Sequence, residues 1–106
     1  MSLKVEKVGL MIVNSEQIGL WRQELLGYLN RMAKFHEEQD YVSILGDLSA
    51  MSARASSMRQ LIVRSNNDES KRFRLDEIDP FLKEVDRQFK DYSRSIAVVS
   101  QEWNNS

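Results

Sequence analysis

Cysteine is absent from the 106 residues, which excludes disulfides and thiolate metal sites. The chain must be held by packing alone, as a reducing compartment allows, and a cytoplasmic location is the expectation. Proline occurs once, at Pro80, and all four glycines precede residue 47. So few backbone breakers in the later part of the chain favour long helices. Apolar runs are short: none is longer than Leu10 to Val13, against the ~20 residues that span a bilayer. No membrane partner is expected. The N-terminus lacks the apolar stretch and cleavage site of a secretory leader, so the sequon Asn104-Asn105-Ser106 reads as accidental.

Chemistry-bearing motifs are equally scarce. The single histidine, His36, stands with Glu37, Glu38 and Asp40 in the one cluster resembling metal ligands. A di-iron bundle needs two Glu-x-x-His units and two further carboxylates, so this cluster reads as a polar helix end. There is no Gly-x-Ser-x-Gly elbow and no glycine-rich phosphate loop. Neither catalysis nor a metal or cofactor is expected.

What is present suits one small globular domain. Hydrophobic residues make up 42% of the chain and charged residues 29%, near globular norms, so a packed core is within reach. The net charge is −1, unevenly spread. Residues 1–40 carry −1, residues 41–75 carry +3 and residues 76–106 carry −3. Mutual attraction of the last two segments within one bundle explains this more simply than a nucleic-acid surface.

Periodicity predicts an all-α fold: an antiparallel three-helix bundle with heptad-type packing and a short N-terminal arm. The first helix is expected over about 15–38, entered through Asn14 and Gln17 as a capping box. Ile18, Trp21, Leu25, Tyr28, Met32 and Phe35 give it a 3-4-3-4-3 stripe. The second is expected over about 41–65, on Tyr41, Ile44, Leu48, Met51, Ala55, Met58 and Ile62. The first stripe projects onto Gln39, Val42, Gly46 and Ser49, a poor match, so a turn near His36 to Asp40 separates the two, with Asp40 as cap. A turn at Gly46-Asp47, or one continuous helix, are the alternatives. Asn66-Asn67-Asp68 closes the second helix, and a polar loop follows to Ile78, pinned by Phe73 and Leu75. The third helix is expected over about 79–103, with Asp79 as N-cap, Pro80 as first helical residue and Leu82, Val85, Phe89, Tyr92, Ile96, Val99 and Trp103 as its stripe. Residues 1–13 alternate as a strand would, while Val5, Val8 and Ile12 equally suit a short helix; they are assigned to the arm, and residues 14–106 to the bundle domain.

Two surfaces stand out. On the second helix Gly46, Ala50, Ala53 and Ser57, continued by Leu61, form a line of small residues away from the core stripe. On the first, Gly19, Leu26 and Ala33 recur every seven residues off the seam. Small residues admit close helix approach, although alanine and serine also suit exposed surface. Apolar groups beyond one seam, Leu20, Leu26, Leu45, Leu61, Val63 and Val98, tilt the reading toward a protein partner, most simply a second copy. The alternative partner is nucleic acid, held by Arg64, Lys71, Arg72 and Arg74 with Phe73 as a stacking ring. Arg54, Arg59 and Arg64 succeed one another by about 140° and ring the second helix without forming a stripe. The sequence therefore points first to a non-enzymatic, self-associating interaction module.

Overall fold

A computed structural model describes residues 13–38, 40–65 and 67–105, without the side chains of 99–105. The arm assigned to the N-terminus lies outside the described residues except for Val13, as do the Val99 and Trp103 ends of the third stripe and the end of the sequon. The described chain is helical throughout, with short connections and no strand. Helix α1 is Ser15–Met32, a 3-10 turn covers Phe35–Glu37, and α2 is Tyr41–Ser65. Helix α3, Asp68–Phe73, passes through a π turn, Arg74–Ile78, into α4, Asp79–Asn105.

The first two helices begin where their caps lie. Asn14 is extended, and its Oδ1 accepts the Gln17 N–H at 2.9 Å, which satisfies one orphan donor of the first turn. α1 ends earlier than the stripe suggested. The Ala33 N–H still reaches the Leu29 carbonyl, but the chain then tightens into the 3-10 turn, which keeps Phe35 fully buried. Asp40 caps α2: one carboxylate oxygen accepts the Ser43 N–H at 3.2 Å and the other its hydroxyl at 2.7 Å. Gly46 lies inside α2, so no turn occurs at Gly46-Asp47.

The expected loop to Ile78 is helical instead. Asn67 is extended and caps α3, its Oδ1 accepting the Ser70 N–H at 2.8 Å. Asp68 and Glu69 occupy the first turn, where carboxylates complement the helix dipole. Asp79 is not an N-cap: its φ of −62° and ψ of −45° are helical, and its carboxylate lies 3.4 Å from Arg59 on α2. Pro80 is consequently an interior residue. A proline there donates no hydrogen bond, and its ring crowds the carbonyl four residues back, that of Asp76. The π turn sits immediately before it. The Asp79 N–H reaches five residues back to the Arg74 carbonyl, and this wider turn accommodates the ring without ending the helix.

Contacts fix how the helices lie. The Val13 N–H donates to the Ser65 hydroxyl at 3.0 Å, and Asn67 Nδ2 donates to the Val13 carbonyl at 3.0 Å, so the start of α1 meets the end of α2. Arg54 and Glu24 pair midway, and Arg31 pairs with Asp47 near the other end. Helix α4 packs most closely on α2, with the Tyr41 and Tyr92 rings 5.7 Å apart at the far end. α1 touches α4 through Tyr28 and Phe81, whose rings lie 6.1 Å apart.

The core follows the first two stripes. Ile18, Trp21, Leu25, Met32 and Phe35 are buried, as are Ile44, Leu48, Met51, Ala55, Met58 and Ile62. The third contribution differs from the expected stripe. Phe73, Ile78, Phe81 and Val85 are buried, whereas Leu82 is only half-buried and Phe89 is partly exposed. The extra residue in the π turn shifts the inward face, so Phe73 and Ile78 are five apart and still share the core. Leu75 does not pin this segment; it is exposed.

Candidate interaction surfaces

The small-residue line occupies the face of α2 opposite its core stripe. Gly46, Ala50, Ala53 and Ser57 are exposed, and Leu61 is half-buried against the core. A Cβ added at Gly46 would meet nothing within 4 Å, so no neighbour of the chain itself requires glycine there. Ser57 turns its hydroxyl back to the Ala53 carbonyl at 3.1 Å, leaving little side chain standing off the backbone. Ala53 also edges a shallow hollow between α2 and α4 beside Val85 and Phe89. From Gly46 to Ser57 the line itself is low and carries no charged side chain, with apolar groups at its margins and Arg64 beyond its end.

The basic quartet does not converge. Lys71 and Arg74 line one small hollow with Ile62 and Val63. Arg72 lies in a different hollow, toward α1, among Asp68, Glu69, Asp76 and Glu77. Arg64 is exposed on α2, on the side of the helix that carries the small residues. Phe73 is 2% exposed, with the Arg22 guanidinium over its ring at 5.5 Å, so it is not available for base stacking. Its burial follows from the helical backbone that replaces the expected loop.

His36 is exposed at the 3-10 turn, with Glu37 at 3.8 Å. Among the described residues no group of three metal-ligating side chains converges. No helix among them is long and apolar enough to cross a membrane.

A furrow that periodicity did not reveal runs along the seam of α1 with α3 and α4. Near its start a hollow of about 480 Å³ lies between Ile18 and Arg22 on one side and Asp68 to Glu77 on the other. It continues into an apolar groove of about 300 Å³, floored by Leu25, Leu26, Leu29, Pro80 and Phe81. The ion pair of Arg22 and Glu77, at 2.6 Å, marks the divide. Leu26 is 47% exposed and Leu29 41%, so the groove leaves large apolar side chains wet. Leu26, singled out from the heptad recurrence on α1, is part of it. The rest depends on the π turn, which sets Asp76, Pro80 and Phe81 beside α1.

Comparisons with models of known families, with curated proteins and with solved structures find no match to this chain.

Proposed function

We propose that the chain is a non-enzymatic protein–protein interaction or assembly module that associates with a second copy of itself. Its scaffold is an antiparallel three-helix bundle with heptad-type seams, and its contact face is the outer side of α2. The observation that carries this reading is the exposed run of Gly46, Ala50, Ala53 and Ser57, open to approach from outside. A helix lined by such residues lets another backbone come close, and a two-fold axis lets one patch serve both subunits. Leu61 at one end of the line supplies apolar area that pairing would cover. Each large apolar group fully covered contributes about 1.5–3 kcal/mol.

Mass by light scattering across a concentration series tests the proposal. The wild type is expected to be a dimer at high micromolar concentration. Ala53→Arg sets a bulky charge on the line without touching the core, and it should give a folded monomer of unchanged helicity. A wild type that stays monomeric ends the proposal. A dimer indifferent to Ala53→Arg moves the contact to another face. Nucleic-acid binding by Arg64, Lys71, Arg72 and Arg74 is the weaker reading, because those residues point into separate surroundings.

A further inference from the structure

We infer that a second contact joins copies of this chain head to tail. The apolar groove between α1 and α4 on one copy receives the patch of Val63, Lys71, Arg74 and Leu75 on the next. Each surface is left unsatisfied by its own chain, and each supplies what the other lacks.

The groove offers apolar surface and a free carboxylate. Leu26 and Leu29 stay wet along it. Large apolar groups gathered in one concave place, with a polar rim, mark a contact surface as scattered ones do not. On the rim Glu77 is held by Arg22 and Glu84 by Arg87. Asp76 is exposed and makes no ion pair among the described residues. Three carboxylates, Asp76, Glu77 and Glu84, line the groove against the single cation of Arg22, so its charge selects a basic occupant.

The patch is the inverse. Val63 is 60% exposed and Leu75 56%. Lys71 and Arg74 line a hollow of about 160 Å³ against α2, and neither has a carboxylate partner among the described residues. The Arg74 Nε is moreover buried and donates to no acceptor. Buried donors are nearly always satisfied, so an orphan of this kind calls for a partner. After a small turn of the side chain, a carboxylate would grip the guanidinium along its Nε and Nη2 edge, a strong charge-assisted arrangement. In the contact, Leu75 of one copy covers Leu26 and Leu29 of the next, whose Asp76 meets Lys71 and Arg74.

Placement makes this contact intermolecular. The hollow of Lys71 and Arg74 faces α2 and the groove faces α1, so the two surfaces flank one helical segment and do not meet within a chain. An interface between unlike surfaces does not close on itself under a two-fold axis, and repetition extends it. Gly46 to Ser57 stay uncovered, so pairing through the outer face of α2 is neither needed nor blocked. With few groups on each side, the contact belongs to the weak class that buries less than about 1,200 Å². It should therefore show at millimolar concentration.

Sedimentation equilibrium on the Ala53→Arg background, with the outer face of α2 blocked, provides the test. The parent should gain mass continuously at millimolar concentration. Leu26→Gln with Asp76→Asn disables the groove, and Lys71→Glu with Leu75→Glu disables the patch. All four side chains are exposed, so circular dichroism should show both variants folded as the parent is. Alone, each variant should associate at least tenfold more weakly than the parent. Mixed in equal amounts they retain one intact groove and one intact patch, and should form a pair that grows no further. High salt should weaken that pair several-fold, because its charges lie at the surface. A parent monomeric at millimolar concentration, a variant that associates as the parent does, or a mixture no heavier than its components each overturns the inference. The mixture carries the result, so it stands or falls apart from the light-scattering test of the α2 face.

Discussion

Glu24 ties two helices together with one carboxylate. Arg54 donates to it from α2 through Nε at 2.7 Å and Nη2 at 3.1 Å, and Tyr28 donates its hydroxyl at 2.5 Å. These bonds, led by that from Arg54, hold the Glu24 carboxyl below its ordinary value against the opposing effect of burial. A folded-state value lower than the unfolded one contributes stability above the unfolded value, and the contribution is lost as pH falls through the folded one. The pair is partly exposed, so about 0.5–1 kcal/mol is the expected size at neutral pH. Urea unfolding should therefore find Glu24→Gln less stable by about that amount at pH 7. The gap should narrow as the solution is acidified through the carboxylate range. A gap constant down to the lowest pH would contradict the assignment. Leu48 presents the opposite case, an apolar side chain with no exposed surface. Leu48→Ala should cost about 2–5 kcal/mol. Leu48→Asp leaves a buried carboxylate with no cation, a penalty comparable to a small domain's whole stability of ~5–15 kcal/mol, and should abolish the folded helical signal. Residues of this kind were legible from spacing alone, because a heptad position in a regular helix has only one side on which to be buried. Glu24 was not, since its partner lies thirty positions away.

At the scale of elements, α1 and α2 could be read from the sequence and the α3–α4 segment only in part. The signals for an early start were present. Asn67, followed by Asp68, Glu69 and Ser70, is an N-cap with an acidic first turn. What hid the helix was the π turn. It places buried Phe73 and Ile78 five apart, a spacing no regular helix template matches, and so the periodic signal lapses just where Pro80 suggests a beginning. The two placements of Pro80 predict different outcomes for Pro80→Ala. At a first helical turn, proline costs nothing, and its removal would leave stability unchanged or lower it by loosening the unfolded chain. In a helix interior, alanine is favoured over proline by ~3 kcal/mol, and greater freedom of the unfolded chain offsets up to ~1 kcal/mol of that. Pro80 is exposed, so no core contact is lost. The π turn already relieves part of the clash, and the expected net gain is about 1–2 kcal/mol in chemical denaturation. An unchanged or lower midpoint would return Pro80 to a helix start.

Across the whole molecule, charge is balanced locally as well as in total. The bridges that join helices, Arg22–Glu77, Arg31–Asp47, Arg54–Glu24 and Arg59–Asp79, each consume a cation at a seam. Those along α4, such as Lys90–Asp86 at 2.9 Å, consume cations on its outer side. The basic excess of residues 41–75 is thereby drawn down to a few groups that face different ways. Only Lys71 and Arg74 share a hollow, while Arg72 sits amid four carboxylates. A duplex phosphate neutralised contributes about −0.9 to the slope of log affinity against log salt. Two adjacent cations therefore give a slope near −2, which amounts to only about a tenfold loss between 50 and 200 mM salt and implies weak binding throughout. Fluorescence anisotropy with single-stranded and duplex oligonucleotides should detect no complex at physiological salt, and at low salt a slope no steeper than that. Replacing Arg64, Lys71, Arg72 and Arg74 together by alanine should change neither result appreciably and should leave the helical signal intact. Tight binding with a steep salt slope, lost in the fourfold variant, would mean that these side chains regroup around a phosphate backbone. Nucleic acid would then displace a second copy of the chain as the partner this surface was built to meet.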